Sequence, residues 1–239
     1  MKFKIDLKIF LFIIIFCLTK QIEIYALIMI FAFIHELGHL LTGIVVGMIP
    51  ESLEIKPYGV SISFKLFPKD YNKKIGKANK LEIKKIIVAL AGPITNLLII
   101  LVTYYLPIEI FTKLIIIYSN ILLIIFNLIP IYPLDGGRII KGLLHIKYGK
   151  INSEKYINNI SFVVLILITF ISSIMIYQAE NIAIFIIVIA LWLMYLKEDF
   201  KYKKKQEIYK LLQKNSWIII IYLMTKFVNF MNFCHSLHY

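Results

Sequence analysis

Negative charge is scarce in this 239-residue chain. Aspartate and glutamate number 14 against 27 lysines and arginines, and charged residues of both signs make up only 17% of the sequence. A soluble domain of this length needs far more polar side chain to cover its surface. Cysteine is scarcer still: Cys17 and Cys234 are the only two, which excludes a disulfide framework. No internal repeat is apparent. The long apolar runs lack strand-type alternation, which excludes a membrane β-barrel. No small-residue cleavage site follows the first apolar run, Ile9 to Leu18, so this run reads as a retained span rather than a signal peptide.

What the chain does have is apolar side chain, 60% of all residues, in runs of fifteen or more with almost no charge. Its mean hydropathy is +0.81. The fold class that follows is an all-α polytopic membrane protein. Six transmembrane helices are expected, at 7–19, 24–48, 86–106, 114–132, 160–177 and 182–196. The net charge of +13 sits between these runs rather than on one face, so the expected partner is the lipid bilayer and not nucleic acid. Twenty-four cationic residues lie in the amino-terminal segment and in 49–85, 133–159 and 197–214, whereas the alternate connections hold only Lys20 and Lys113. By the positive-inside rule, Met1 and the Lys197–Lys214 segment are both expected in the cytoplasm.

Within 49–85, the piece Leu53 to Phe64 alternates apolar and polar residues around Pro57 and Gly59. It predicts a small hairpin or membrane-associated loop. The lysine-rich stretch from Lys73 to Lys80 reads as a solvated or headgroup-facing linker. Segment 133–159 reads as a cytoplasmic loop with a solvated His145. Residues 197–239 divide into a charged linker and an apolar tail. For Trp217 to Phe233 a seventh span, an interfacial helix and a loose tail all remain open. Cys234, His235 and His238 lack the spacing of a structured metal site.

The sharpest signal is FIHELGHLL, Phe33 to Leu41, inside the second span. His35 and His39 are four residues apart and share one helix face, so both imidazoles reach one ion, while Glu36 stands beside it as a general base. Zinc suits such nitrogens and lowers the pKa of a water towards about 7, within reach of a carboxylate base. Ionisable side chains inside a span are rare unless functional.

A third ligand is expected from FNLIPIYPLDGGR, Phe126 to Arg138. Pro130 and Pro133 break the fourth span, Gly136 and Gly137 permit a tight turn, and Asp135 emerges at the cytoplasmic end. Irregular backbone at that depth is tolerated only against protein or a wet cavity. Asn127, about two turns earlier, is placed to face the same cavity. It reads either as a donor to a developing oxyanion or as an interhelical hydrogen bond. Ala91, Gly92, Pro93 and Asn96 read as a close helix-packing surface.

An H-E-x-x-H within a span, followed by N-x-x-P and L-D-G-G at the end of another, resembles the site-2 protease family of M50-type intramembrane zinc metalloproteases. FIHELGH, AGPITN, the PYG loop and FNLIPIYPLDGGR carry the resemblance, which covers residues 1 to about 210 and is nearest to the sporulation branch. It implies a transmembrane metalloprotease domain over 1–196, with His35, His39 and Asp135 as zinc ligands and Glu36 and Asn127 as catalytic residues. The implied substrate is a membrane-associated pro-sigma factor, pro-sigma-K, cut on the mother-cell side of the membrane around the forespore. The implied partners are inhibitory membrane proteins of the sporulation complex. That branch continues into a soluble CBS domain, for which no room is expected after Lys214. Three other readings are an anti-sigma factor or signal-peptide remnant as substrate, a metal transporter, and an inactive interaction protein on a protease scaffold, against which the intact motifs speak. A transport site has no use for Glu36 between two ligands, and the repeat symmetry usual in transporters is missing.

Overall fold

The computed structural model describes residues 2–5, 10, 17, 22–56, 59–65, 75–179 and 187–213. Strand β1 (Lys2–Ile5) precedes helix α1 (Ile22–Val45), which is followed by strands β2 (Ile49–Lys56) and β3 (Gly59–Lys65). Helices α2 (Ile75–Tyr105), α3 (Ile110–Leu128) and α4 (Asp135–Ala179) come next. Residues 187–213 form a last helix, α5. Four of these, α1 to α4, are long and apolar enough to cross a membrane. Large apolar side chains such as Phe111, Leu122 and Ile125 on α3 and Leu167 and Phe170 on α4 stand exposed. Such an exterior belongs in lipid, and the chain is an integral membrane protein.

Helix α2 is the hub, packing against α1, α3 and α4. Its first part corrects the expected linker. Residues 75–85 are helical and continuous with the span, because a helix leaving the bilayer can carry charge outward while burying Leu81 and Glu82 inward. The expected loop 133–159 is corrected as well. Residues 135–148 are already helix, and the break comes at Gly149, whose φ of 77° and ψ of 172° interrupt α4. Unbroken, the 40 residues Asp135–Ile174 would run about 60 Å, twice the hydrocarbon thickness. The part beyond Gly149 contains the expected span at 160–177. The first expected span, 7–19, and the apolar tail lie outside the described residues, apart from single helical positions at Phe10 and Cys17.

The predicted hairpin is present. β2 and β3 pair antiparallel from Ile49↔Lys65 to Lys56↔Gly59, and the Ser52 and Ser63 hydroxyls meet at 2.7 Å. Sequence reading missed β1, which joins β2 in parallel and makes a three-stranded sheet in the order β1-β2-β3. Four residues at a chain end carry too little pattern to show a strand. The hairpin docks on α1 through Phe64, whose ring lies where a side chain on Gly43 would stand.

Between α3 and α4 the backbone is irregular, as the prolines require. Helix α3 stops at Leu128, two residues before Pro130. Ile131 and Leu134, both buried, pack with Leu165 of α4 and with Leu191 and Tyr195 of α5. The Tyr132 N–H donates to the Ser161 hydroxyl at 3.0 Å, and Ser161 is itself buried. Without that acceptor an amide would be stranded in an apolar surrounding. Ser161→Ala is therefore expected to cost about 1–3 kcal/mol, read from thermal unfolding in detergent.

Candidate metal centre

His35 and His39 occupy successive turns of α1, and Asp135 is the first residue of α4. All three are almost fully buried, at 3%, 2% and 4% exposure. One carboxylate oxygen, Asp135 Oδ2, lies 3.0 Å from His35 Nε2 and 3.1 Å from His39 Nε2, and the two nitrogens are 3.2 Å apart. Among the described residues this is the group of three that can hold a metal ion.

The donor chemistry fits a cation. His39 Nδ1 lies 2.6 Å from the Val88 carbonyl, which can only accept, so Nδ1 carries the proton. In the neutral ring this leaves a lone pair on Nε2, aimed at an anionic oxygen and at a second imidazole. Converging electron pairs in a buried site call for a shared positive charge. The other Asp135 oxygen, Oδ1, faces Arg138 Nη1 at 3.5 Å, so the two oxygens are divided between the histidines and the guanidinium.

Helix α2 presses its backbone against this group at Gly92. A Cβ there would stand 2.4 Å from His35 Nε2 and 2.5 Å from His39 Nε2. Gly136 and Gly137 play the same part at the start of α4, where a side chain would strike the Leu128 carbonyl and the backbone at Ile131. The sequence pattern AGPITN had pointed to close packing, but not to its object, which is the pair of imidazoles.

Glu36 and His39 line a cavity of about 470 Å³ that runs between α1, α2 and α4. Met48 and Phe64, from the foot and end of the hairpin, form part of its wall. Arg138, Lys141 and His145 line it from the first turns of α4. Asn127 is not among the lining residues. Its amide Nδ2 donates to the Leu123 carbonyl of its own helix at 3.0 Å, which is neither an oxyanion position nor an interhelical bond. Asn96 is fully buried one turn beyond Gly92, with no hydrogen-bond partner for either amide atom.

Three comparisons with known proteins bear on this geometry. A model of Peptidase family M50 matches residues 107–171. Over 145 residues the chain is 30% identical to the zinc metalloprotease MJ0392 of Methanocaldococcus jannaschii, covering 57% of this chain and 39% of that protein. The solved site-2 protease from Methanocaldococcus jannaschii superposes with a TM-score of 0.58 at 20% identity, over 82% of this chain and 89% of the other. The fold is that of a site-2 protease. The chain spans about two fifths of the curated relative's length.

In this site-2 protease fold the cavity is polar where α2, α4 and α5 meet. Glu82 accepts from Lys85 at 2.7 Å, and His145 Nδ1 lies 3.6 Å from the same oxygen. His145 is thus a half-buried helix residue and not a solvated loop residue, because α4 turns it onto α2. Lys205 of α5 bonds Glu154 of α4. Burial opposes the Lys205 charge, but the Glu154 carboxylate more than offsets this and raises its pKa above the ordinary lysine value. Arg138 and Lys141 carry no signal in the sequence, where DGGR reads as a tight turn into a loop. Read as a helix start, the i, i+3 spacing from Asp135 places Arg138 beside the carboxylate.

Proposed function

We propose that this chain is an intramembrane zinc endopeptidase that hydrolyses a peptide bond of a membrane-associated protein near the cytoplasmic face. The observation that carries this reading is the convergence of His35, His39 and Asp135 beside a cavity that Glu36 lines. Those three residues would hold zinc, which when bound supplies Lewis-acid polarisation of the scissile carbonyl and an attacking water of lowered pKa. Glu36 takes the proton from the attacking water and returns it to the departing amine. Val88, through its carbonyl, and Arg138 keep His39 and Asp135 oriented. Asn127 takes part only after its amide leaves the Leu123 carbonyl.

A helical substrate hides its carbonyls in i to i−4 bonds, so the segment to be cut must unwind. In the order β1-β2-β3 one edge of β3 has no strand beside it among the described residues, and an extended peptide can add there next to the cavity. The lysine distribution supports a cytoplasmic Met1 and an inward-facing site.

Within the site-2 proteases, FIHELGH, AGPITN, the PYG loop and FNLIPIYPLDGGR are nearest to stage IV sporulation protein FB. The substrate on this reading is pro-sigma-K, cut at the membrane around the forespore and restrained by inhibitory membrane proteins. Co-expression with pro-sigma-K tests it: cleavage should appear with the intact chain and vanish when membranes are stripped of zinc by a chelator. Cleavage that survives complete zinc removal would overturn the metalloprotease assignment. Cleavage of a tail-anchored anti-sigma substrate but not of pro-sigma-K would move the chain to another branch.

A further inference from the structure

The cavity beside the metal centre has an unbalanced charge. Five cationic side chains line it against three carboxylates. Glu82 is engaged by Lys85 and Glu154 by Lys205. Glu36 is assigned to the proton transfer. Arg138 and Lys141 stand outside these pairs, three residues apart on one face of α4, and the cavity has no further carboxylate to offer them.

Both are held in place without using up their donors. Arg138 makes one long contact, 3.5 Å to Asp135, and its side chain is 42% exposed. The Lys141 ammonium sits 4.1 Å above the centre of the Tyr132 ring, which fixes its position but accepts none of its N–H bonds in the ordinary way. Two prepared cations facing a cavity that also holds a metal centre are suited to an anion.

We infer that Arg138 and Lys141 form a specificity subsite for a substrate carboxylate, so that the enzyme selects an Asp or Glu close to the bond it cuts. This rests on the peptidase reading above. Their spacing sets the distance. At about 1.5 Å per helical residue, Arg138 and Lys141 stand about 4.5 and 9 Å along α4 from the ligand Asp135. An extended peptide advances about 3.3 Å per residue, so the selected carboxylate lies one to three residues from the scissile bond. Anionic lipid headgroups share this chemistry, but they are met at a surface. Arg138 and Lys141 instead line the cavity that Glu36 and His39 line.

The test uses the full chain in zwitterionic vesicles and a membrane-anchored peptide library randomised around a cytoplasmic juxtamembrane segment, with cut sites read by mass spectrometry. Asp and Glu should be enriched at least about fivefold within three residues of the cuts. The enrichment should fall at least about threefold in Lys141→Gln and turn towards Lys and Arg in Lys141→Glu, with zinc content measured in each. Cuts without acidic preference, or a preference unchanged in the variants, would overturn the subsite while leaving the peptidase intact. An effect that appears only with anionic lipid would also overturn it. A second measurement does not depend on turnover. Glu36→Gln should bind a fluorescent single-span peptide with Asp in that segment about tenfold tighter than its Lys counterpart, and equal binding would sink the proposal even if no cleavage is found.

Discussion

Glu36→Gln is expected to lower peptide-bond cleavage by about 10³–10⁴-fold, the range typical of losing a positioned general base. Zinc content per chain should stay the same, because His35, His39 and Asp135 are the group that converges and Glu36 only lines the adjoining cavity. Glutamine keeps the volume and a hydrogen-bonding oxygen but cannot take a proton. The two readouts therefore separate a base from a ligand. Loss of zinc in Glu36→Gln would make Glu36 part of the metal centre, and retained cleavage would remove its assigned role.

Gly92→Ala is expected to lose the metal as well as the activity. The added methyl would arrive within 2.5 Å of both imidazoles, in a site where all three proposed ligands are almost fully buried. Overpacking of this kind costs about 1–3 kcal/mol, and here the groups best able to yield are the ligands themselves. Zinc stoichiometry should fall well below one per chain, and cleavage at saturating substrate should drop more than about a hundredfold, since a misplacement of about 1 Å suffices for that. The chain should still elute as a folded membrane protein in size-exclusion chromatography. Full zinc loading and activity in Gly92→Ala would mean that α2 does not hold the imidazoles as the geometry requires.

These two variants probe information of different kinds. The grouping of Glu36 with two imidazoles was legible because His35, Glu36 and His39 lie within one turn and a half of a single helix, and helical periodicity alone puts the imidazoles on one side. The spans were legible where apolar runs were long. They were misjudged at 75–85 and 135–148, where a helix leaves the bilayer: hydropathy falls there while the backbone hydrogen-bond pattern continues. The hairpin was legible from its alternation around Pro57 and Gly59, whereas β1 was too short to show any period.

The residues that surround the centre were hidden for another reason. Gly92 and the Val88 carbonyl are 53 and 49 residues from His39, and a main-chain oxygen leaves no trace in residue type. Arg138 and Lys141 looked like ordinary cytoplasmic cations until α4 was seen to begin at Asp135 and to turn both into the cavity. Asn127, two turns before Asp135, donates its amide to the Leu123 carbonyl of its own helix, another main-chain partner that residue types do not announce.

Local order along the chain determined the candidate ligand types, the proposed base between two of them and the breakers that free Asp135, because each depends on spacing within a few residues. The tertiary structure alone decided that α2 touches the imidazoles through a glycine, that α4 brings cations to the cavity wall and that α5 adds Lys205 to it. Those contacts join helices dozens of residues apart, and they exist only where side-chain volumes let the backbones approach.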